Sequence, residues 1–424
     1  MKEEFLHYVW KYKLFNKNTL VSTKKEVIHI LKSGTHNFNA GPDFLNATIE
    51  IDHQIWVGNI EIHLKSSDWY AHHHEADANY DATILHVVYE HDVDVYLKDN
   101  VILPTLVLQG LIAPDLLHQY QKLLTANSLW IPCESQINTI DSFIFSNWKE
   151  RLFFERLERK SVLIQELLLH ENNDFEAVLF QLLAKNFGLK VNGEAFLLLS
   201  KSIDFSVFRK VRSDEHQLMA LLFGQAGFLE DEIQEIQHIS LKKEYAYLQH
   251  KYQLKPISKQ QFSFFRMRPT NFPTIRMAQL GSLYHLHQNL FSKLMQVSKS
   301  EDFYSLFSVS ISAFWQTHYT FETSSKKSPK KLTKAFVDLL IINTIIPLKF
   351  VFEKQKGILN ATDILAILHQ IKPEKNSIIS KFKELKMNAT SAFDSQALLE
   401  LKNNYCAVKR CLECAIGNSI LNKK

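Results

Sequence analysis

The spacing of apolar residues changes once along this chain, and that change constrains the fold more than any other feature. From about residue 25 to residue 109 the apolar positions alternate, in EVIHILKSG, LNATIEID, QIWVGNIEIHLK, ATILHVVYEHD, VDVYLKD and VILPTLVLQ. These runs are rich in Val, Ile and Thr and are separated by turn residues, as strands are. After residue 110 the apolar residues recur at steps of three and four, in LLHQYQKLLTAN, SNWKERLFFERLERKSVLIQELLLH and FEAVLFQLLAKNFGL, which is the spacing of a helix face. The pattern predicts an α+β protein. Residues 1–110 would form an N-terminal α/β sheet domain and residues 111–424 a large, mostly α-helical region, broken at RMRPTNFPTIRMAQL and at SSKKSPKKLTK.

A chain of 424 residues that is 46% hydrophobic, with 30 Phe and only 11 Gly and 10 Pro, can bury a large core and is not of disordered composition. A net charge of +4 permits contact with DNA or RNA without requiring it. The N-terminus, MKEEFLHYVWKYKLF, carries no apolar secretion signal. The most apolar stretch, residues 336–352, is interrupted by Asp338, Asn343, Pro347 and Lys349. It falls short of the roughly 20 clean residues of a membrane span. A buried helix, no membrane partner and a cytoplasmic location are the expectations.

The segment GNIEIHLKSSDWYAHHHEAD, residues 58–77, concentrates the chemistry. In a strand Ile60, Ile62 and Leu64 face one way and Glu61, His63 and Lys65 the other. A hairpin centred on Asp52 and His53 would set Phe44 opposite Glu61 and Asp43 opposite Ile62, bringing two carboxylates and an imidazole to one end of a sheet. Two carboxylates can hold Mg²⁺ or Mn²⁺ and leave positions open for water and phosphate oxygens. His63 or Lys65 would then orient the attacking water. The plain alternative is a charged hairpin edge facing solvent.

Histidines offer a rival site. Seven of the 19 fall between residues 53 and 91: His53, His63, His72, His73, His74, His86 and His91. Imidazoles suit Zn²⁺, and at most two of the three consecutive histidines can face one ion on a regular element. His86, within an apolar strand, reads as a core histidine. Asp68, Trp69 and Tyr80 are candidates for the rim, although Trp69 reads more readily as packing.

Two further groups stand apart. Cys406, Cys411 and Cys414 have C-x4-C-x2-C spacing, and Cys133 is the remaining cysteine. Together they would close a four-thiolate site for Zn²⁺ or a [4Fe–4S] cluster, with buried thiols as the alternative. Arg266, Arg268 and Arg276 surround prolines and could be phosphate contacts or buried structural arginines. The lysines at 326–334 read as a solvated loop.

Asp43 in GPDF, followed 18 residues later by Glu61-Ile-His63, resembles the core motif of the PD-(D/E)xK nuclease superfamily. The resemblance covers roughly residues 1–110. It implies a restriction-endonuclease-like α-β-β-β-α-β core and metal-dependent phosphodiester cleavage, with Asp43 and Glu61 as metal ligands. His63 stands where that superfamily has lysine, and Lys65, on the same strand face, is placed to substitute. Glu3 or Glu4 would be the extra acidic ligand some members carry. Nearly the whole chain also resembles an uncharacterised bacterial domain-of-unknown-function family, through NAGPDF, GNIEIHLKSSDWYAHHH, ILHVVYEHD, LLFGQAGFL, RPTNFPTIRMAQL, FWQTHY and YCAVKRCLECAIGN. The expected function is a metal-dependent phosphodiesterase, a nuclease. The alternatives are a non-catalytic nucleic-acid-binding or scaffold protein with a degenerate nuclease fold, and a histidine-ligated metal hydrolase of another substrate class.

Overall fold

The alternating runs become strands of one mixed sheet. In the computed structural model, which describes residues 1–18, 20–125 and 129–422, helix α1 (Glu3–Tyr12) precedes strands β1 (Leu20–Val21), β2 (Val27–Lys32), β3 (Thr35–His36), β4 (Phe44–Ile51) and β5 (Gln54–Lys65). A short helix α2 (Asp68–Ala71) leads to β6 (Thr83–Glu90) and β7 (Thr105–Val107), followed by α3 (Pro114–Thr125). The strand order is β1-β2-β4-β5-β6-β7, with β3 also on β4. β2, β4 and β5 run antiparallel, whereas β6 joins β5 in parallel. A parallel neighbour needs a crossover, and the residues from 66 to 82, with α2 and the three histidines, supply it.

Two of the expected strands shrink. VDVYLKD makes only an isolated bridge, Tyr96 to Ile102. VILPTLVLQ contributes Thr105–Val107 alone, because Pro104 has no N–H to donate to a ladder; its carbonyl instead accepts from the His86 amide at 2.9 Å.

The β4–β5 hairpin keeps the anticipated register from Ala47↔Gly58 to Ile51↔Gln54. A bulge between Phe44 and Ala47 then slips it by one, so Phe44 pairs with Ile60 and not with Glu61. Asn46, with φ +55°, is the residue in the left-handed conformation that the bulge requires.

The chain divides into two compact units, one of Met1–Trp148 with Leu401–Lys424 and one of Lys149–Glu400. The first unit therefore runs past residue 110, where the sequence pattern changes, and takes in the C-terminal segment. Its helix α3 packs back on α1, with Tyr120 stacked on Phe5 at 4.1 Å. A change of secondary-structure period is not a domain boundary when the next helix covers the sheet domain's own apolar surface.

The second unit is helical, with a core rich in aromatics. Phe180, Phe208 and Tyr284 meet at its centre, with ring centroids 4.1 to 5.4 Å apart. The apolar run at residues 336–352 is a core helix there. Lys334–Gln355 is long enough to cross a membrane, but 72% of its most apolar window is buried. A π turn at Ile341–Ile345 precedes Pro347, whose missing N–H breaks the regular ladder.

Gly58 sits where β5 meets the start of β6. A Cβ there would lie 2.4 Å from Ile84 Cγ2 and 2.5 Å from the Ala82 carbonyl, the oxygen that accepts from the Asn59 amide. Gly58→Ala is expected to destabilise the protein by about 1–3 kcal/mol through overpacking against backbone. Urea denaturation checks it, and an unchanged midpoint would contradict the close approach.

Candidate active site

β5 is the spine of the site. Its upstream half is exposed, but Ile60, Glu61, Ile62 and His63 are buried on both faces of the sheet. Glu61 is 5% and His63 1% exposed, so the Glu-His face is not a wet hairpin edge. α1 lies against β5 and presents Glu3 and His7, which share a helix face by their four-residue spacing. Phe5, Leu6, Val9 and Trp10 bury the rest of α1 and hold it in place.

Asp43 and Glu61 clamp each other. The Asp43 amide donates to Glu61 Oε2 at 3.1 Å, and Asp43 Oδ2 accepts from the Ile62 amide at 3.0 Å. The one-residue register slip makes this reciprocal arrangement, since the residue before β4 then meets the end of β5. His7 Nε2 approaches Asp43 Oδ2 at 3.1 Å, so α1 is tied to the clamp as well.

The imidazoles gather on the other side of Glu61. His63 Nε2 and His74 Nε2 lie 3.4 and 3.3 Å from Glu61 Oε1. His72 Nδ1 is 3.2 Å from His63 Nε2, and the donor atoms of His63, His72 and His74 all fall within 4.8 Å of one another. Glu3 Oε1 reaches to 4.0 Å from His63 Nε2. The turn after α2 makes this possible. His73 has φ +61° and points outward, 83% exposed, while its two neighbours turn in. Asp92 fixes the start of α2, ahead of that turn, by accepting from the Ser67 amide and hydroxyl. Tyr80 stacks on His74 at 3.8 Å, and Trp69, fully buried, sets its edge against His74. Trp69 is therefore packing that positions an imidazole and not part of the rim.

His63 uses its second nitrogen too. Its Nδ1 lies 2.8 Å from His86 Nε2, and His86 Nδ1 is buried without a partner. One ring nitrogen held by a hydrogen bond and the other aimed into a cluster is the arrangement that orients a metal-ligating histidine.

Burial raises the Glu61 carboxyl far above the ordinary range, and the Asp43 and Glu3 carboxylates push it further. Burial and the neighbouring His74 and His72 hold His63 down to about 3. A protonated carboxyl facing a neutral imidazole is the cheaper form here, because a buried ion pair would lose hydration on both sides. Glu3 is pushed up to about 7 by burial and by Asp43. Burial disfavours charge on His7, yet the Asp43 hydrogen bond and charge raise its pKa overall. Three carboxylates and at least four imidazoles thus share a partly buried space, and among the described residues the ion-pair partners of Asp43 and Glu61 there are histidines and not lysine or arginine.

Several anticipated residues lie elsewhere. Lys65, the last residue of β5, is half exposed, with its Nζ 4.0 Å from Glu90. His53 is 95% exposed at the hairpin turn. Glu4 is exposed on α1, and the buried role falls to Glu3. Asp68 accepts from the Lys65 amide, and His91 contacts Ser66 and Asp94.

In the second unit, Arg276 is 7% exposed, lies 3.7 Å over the Phe336 ring and bonds Gln279 and Asn271. Arg266 and Arg268 are exposed, so the three do not form a common phosphate face, and Arg276 is structural. Cys133, Cys406, Cys411 and Cys414 do come together and line one cavity. His7 escaped the sequence reading, although Glu3-x-x-x-His7 on an amphipathic helix was the available signal.

The native state keeps a proton on Glu61 that the unfolded chain gives up. Its stabilisation is whole below the ordinary carboxylate pKa and is lost as pH rises through the elevated native value. In chelator, wild-type stability should fall relative to Glu61→Gln as pH rises from about 5 to about 9. Denaturation curves at several pH values check this, and parallel curves would contradict it.

No curated protein and no solved structure matches the chain. The family model described as a protein of unknown function, DUF2851, matches residues 3–377. That span takes in the clamp, the histidine turn and most of the helical unit, and the chain belongs to the DUF2851 family.

Proposed function

We propose that the first unit is a metal-dependent hydrolase of phosphodiester bonds, a nuclease-like enzyme acting on DNA or RNA. The observation that carries this reading is the Asp43–Glu61 clamp beside the convergent nitrogens of His63, His72 and His74. The residues fit a divalent ion, because a buried carboxyl flanked by two further carboxylates gains from more positive charge than His7 brings to Asp43. The order α1, β2, β4, β5, α2, β6 also follows the α-β-β-β-α-β plan of the PD-(D/E)xK superfamily, with the first acid at the start of one strand and Glu61-x-His63 closing its partner.

Asp43, Glu61 and His63 would hold the ion, with His74 and the exposed His72 completing its surroundings. The imidazoles shift the preference from Mg²⁺ towards Mn²⁺ or Zn²⁺. When bound, the ion supplies Lewis acidity and a water of lowered pKa. His63 is too buried to exchange protons with solvent and acts as a ligand. His86 positions it by holding Nδ1. Glu3, with its side chain 36% exposed, is the group placed to take a proton at the mouth, and His7 steadies Asp43.

The same histidine convergence favours a second reading, a zinc hydrolase of another substrate class. The two share a site and differ in substrate.

Calorimetry of the chelated protein with Mn²⁺, Zn²⁺ and Mg²⁺ tests the centre, and cleavage of single- and double-stranded DNA, RNA and an activated phosphodiester tests the reaction. About one Mn²⁺ or Zn²⁺ per chain is expected, lost in folded Asp43→Ala and Glu61→Ala variants. His86→Leu should weaken binding about 10- to 100-fold. Metal-dependent cleavage abolished by Glu61→Ala supports the nuclease. Metal binding without cleavage of any phosphodiester moves the reading to the zinc hydrolase. Absence of metal binding leaves a non-catalytic nucleic-acid-binding or scaffold protein.

A further inference from the structure

Every cysteine of this chain lines the same small cavity. Cys133 follows α3, whereas Cys406, Cys411 and Cys414 belong to the C-terminal segment, more than half the chain away, yet all four residues line one cavity. Leu123, Pro132, Leu401 and Tyr405 form most of its remaining wall. All four side chains are at most 8% exposed, and none is in a disulfide. Burying cysteines is common, since a thiol behaves as a small apolar group. Collecting all of them from two distant segments around one cavity is not explained by packing, because any apolar side chain would fill that space.

The backbone is bent to aim them. The helix before Cys406 ends in a π turn, Lys402–Cys406, which inserts a residue and rotates the side chains that follow. Lys409 then takes φ +57°, and a single 3₁₀ turn spans Cys411–Glu413. The closing helix packs so tightly over this turn that a Cβ on Gly417 would lie 2.0 Å from the Cys411 carbonyl. Cys411 and Cys414 thus stand on one turn, the two-thiolate grip that a C-x2-C step gives to metal sites.

Charge is arranged consistently. Burial drives the Cys411 thiol up to about 12, and Cys133 and Cys406 are driven up by burial as well. Each is also raised by the charge of its fellow cysteines, which places the four within electrostatic reach of one another. Lys402 favours the thiolate of Cys406 and Lys409 that of Cys411.

We propose that Cys133, Cys406, Cys411 and Cys414 are the thiolate ligands of one structural metal centre, either a tetrahedral Zn²⁺ or a [4Fe–4S] cluster. On binding, four S–H bonds break and four metal–sulfur bonds form. Four protons leave to solvent, and for Zn²⁺, or for a cluster delivered already assembled, neither sulfur nor metal changes oxidation state. The centre fastens the C-terminal segment to the turn after α3. The helix Ala415–Leu421 packs on α3, and Asn422 reaches Tyr8 on α1, the helix that carries Glu3 and His7. This proposal stands independently of the hydrolase reading.

The test is metal content of the full chain purified without oxygen, by elemental analysis, acid-labile sulfide and visible absorption. Wild type is compared with Cys414→Ser, with Cys133→Ser and with a His63→Ala/His74→Ala double variant that disables the other candidate site. The expected result is about one Zn²⁺, or about four iron and four sulfide, per chain. Zinc without sulfide identifies the mononuclear centre, and iron with sulfide and broad visible absorption identifies the cluster. Either must persist in the histidine variant and be lost from the cysteine variants. Where a cysteine variant does not fold, wild type decides alone: its native thiols should resist a thiol reagent until a mercurial releases the metal. Wild type that holds neither metal after reconstitution would overturn the proposal. So would metal lost with the histidines and kept without the cysteines.

Discussion

A carboxyl group placed on the inner face of a strand, under a helix, is the constraint around which the first unit is organised. Glu61 is 5% exposed and lies among Asp43, Glu3 and two imidazoles. An unpaired buried carboxylate would cost several kcal/mol, so the group must either keep a proton or meet a cation. The amide of Asp43, the nitrogens of His63 and His74 and the backbone of Ile62 all serve that requirement. Replace Glu61 by an apolar residue and none of these polar neighbours has a reason to face inward.

The elements around it follow from that demand. β5 must be central, because only a strand paired on both sides can carry a buried polar face without exposing its ladder. β4 supplies Asp43 through a bulge, β6 supplies His86, and the crossover between β5 and β6 supplies His72 and His74. The crossover is also where the sequence spends its histidines. A parallel neighbour for β5 obliges the chain to return over the sheet, and the return passes beside Glu61. The cysteine cavity sits at the far end of the same logic, where α3 and the C-terminal helix brace α1.

Much of this was legible in the sequence where it depends on local spacing. The β4–β5 hairpin, the approach of Asp43 to Glu61 and the gathering of the four cysteines all came from periodicity, turn position and counting. What was not legible came from single backbone choices and from tertiary company. The Asn46 bulge moves Phe44 from Glu61 to Ile60, and alternation alone does not announce a bulge. Lys65 and Glu61 share strand parity, but Lys65 is the exposed last residue of β5 and its ammonium lies near Glu90. His86 was read as a core histidine; it is fully buried, and it also holds His63. Arg276 carries a charge that the sequence could assign to phosphate, whereas an aromatic ring and two amides take it in the fold. His7 required knowing that α1 lies on β5, a long-range contact that no spacing encodes.

The proposed divalent ion would sit between the clamp and the histidines. Anomalous diffraction from crystals soaked in Mn²⁺ or Zn²⁺ locates such an ion directly. A strong peak is expected about 2.0–2.2 Å from Glu61, Asp43 and His63 Nε2, separate from any at the four cysteines. A peak confined to exposed histidines such as His73, or none at the clamp under saturating metal, would contradict it.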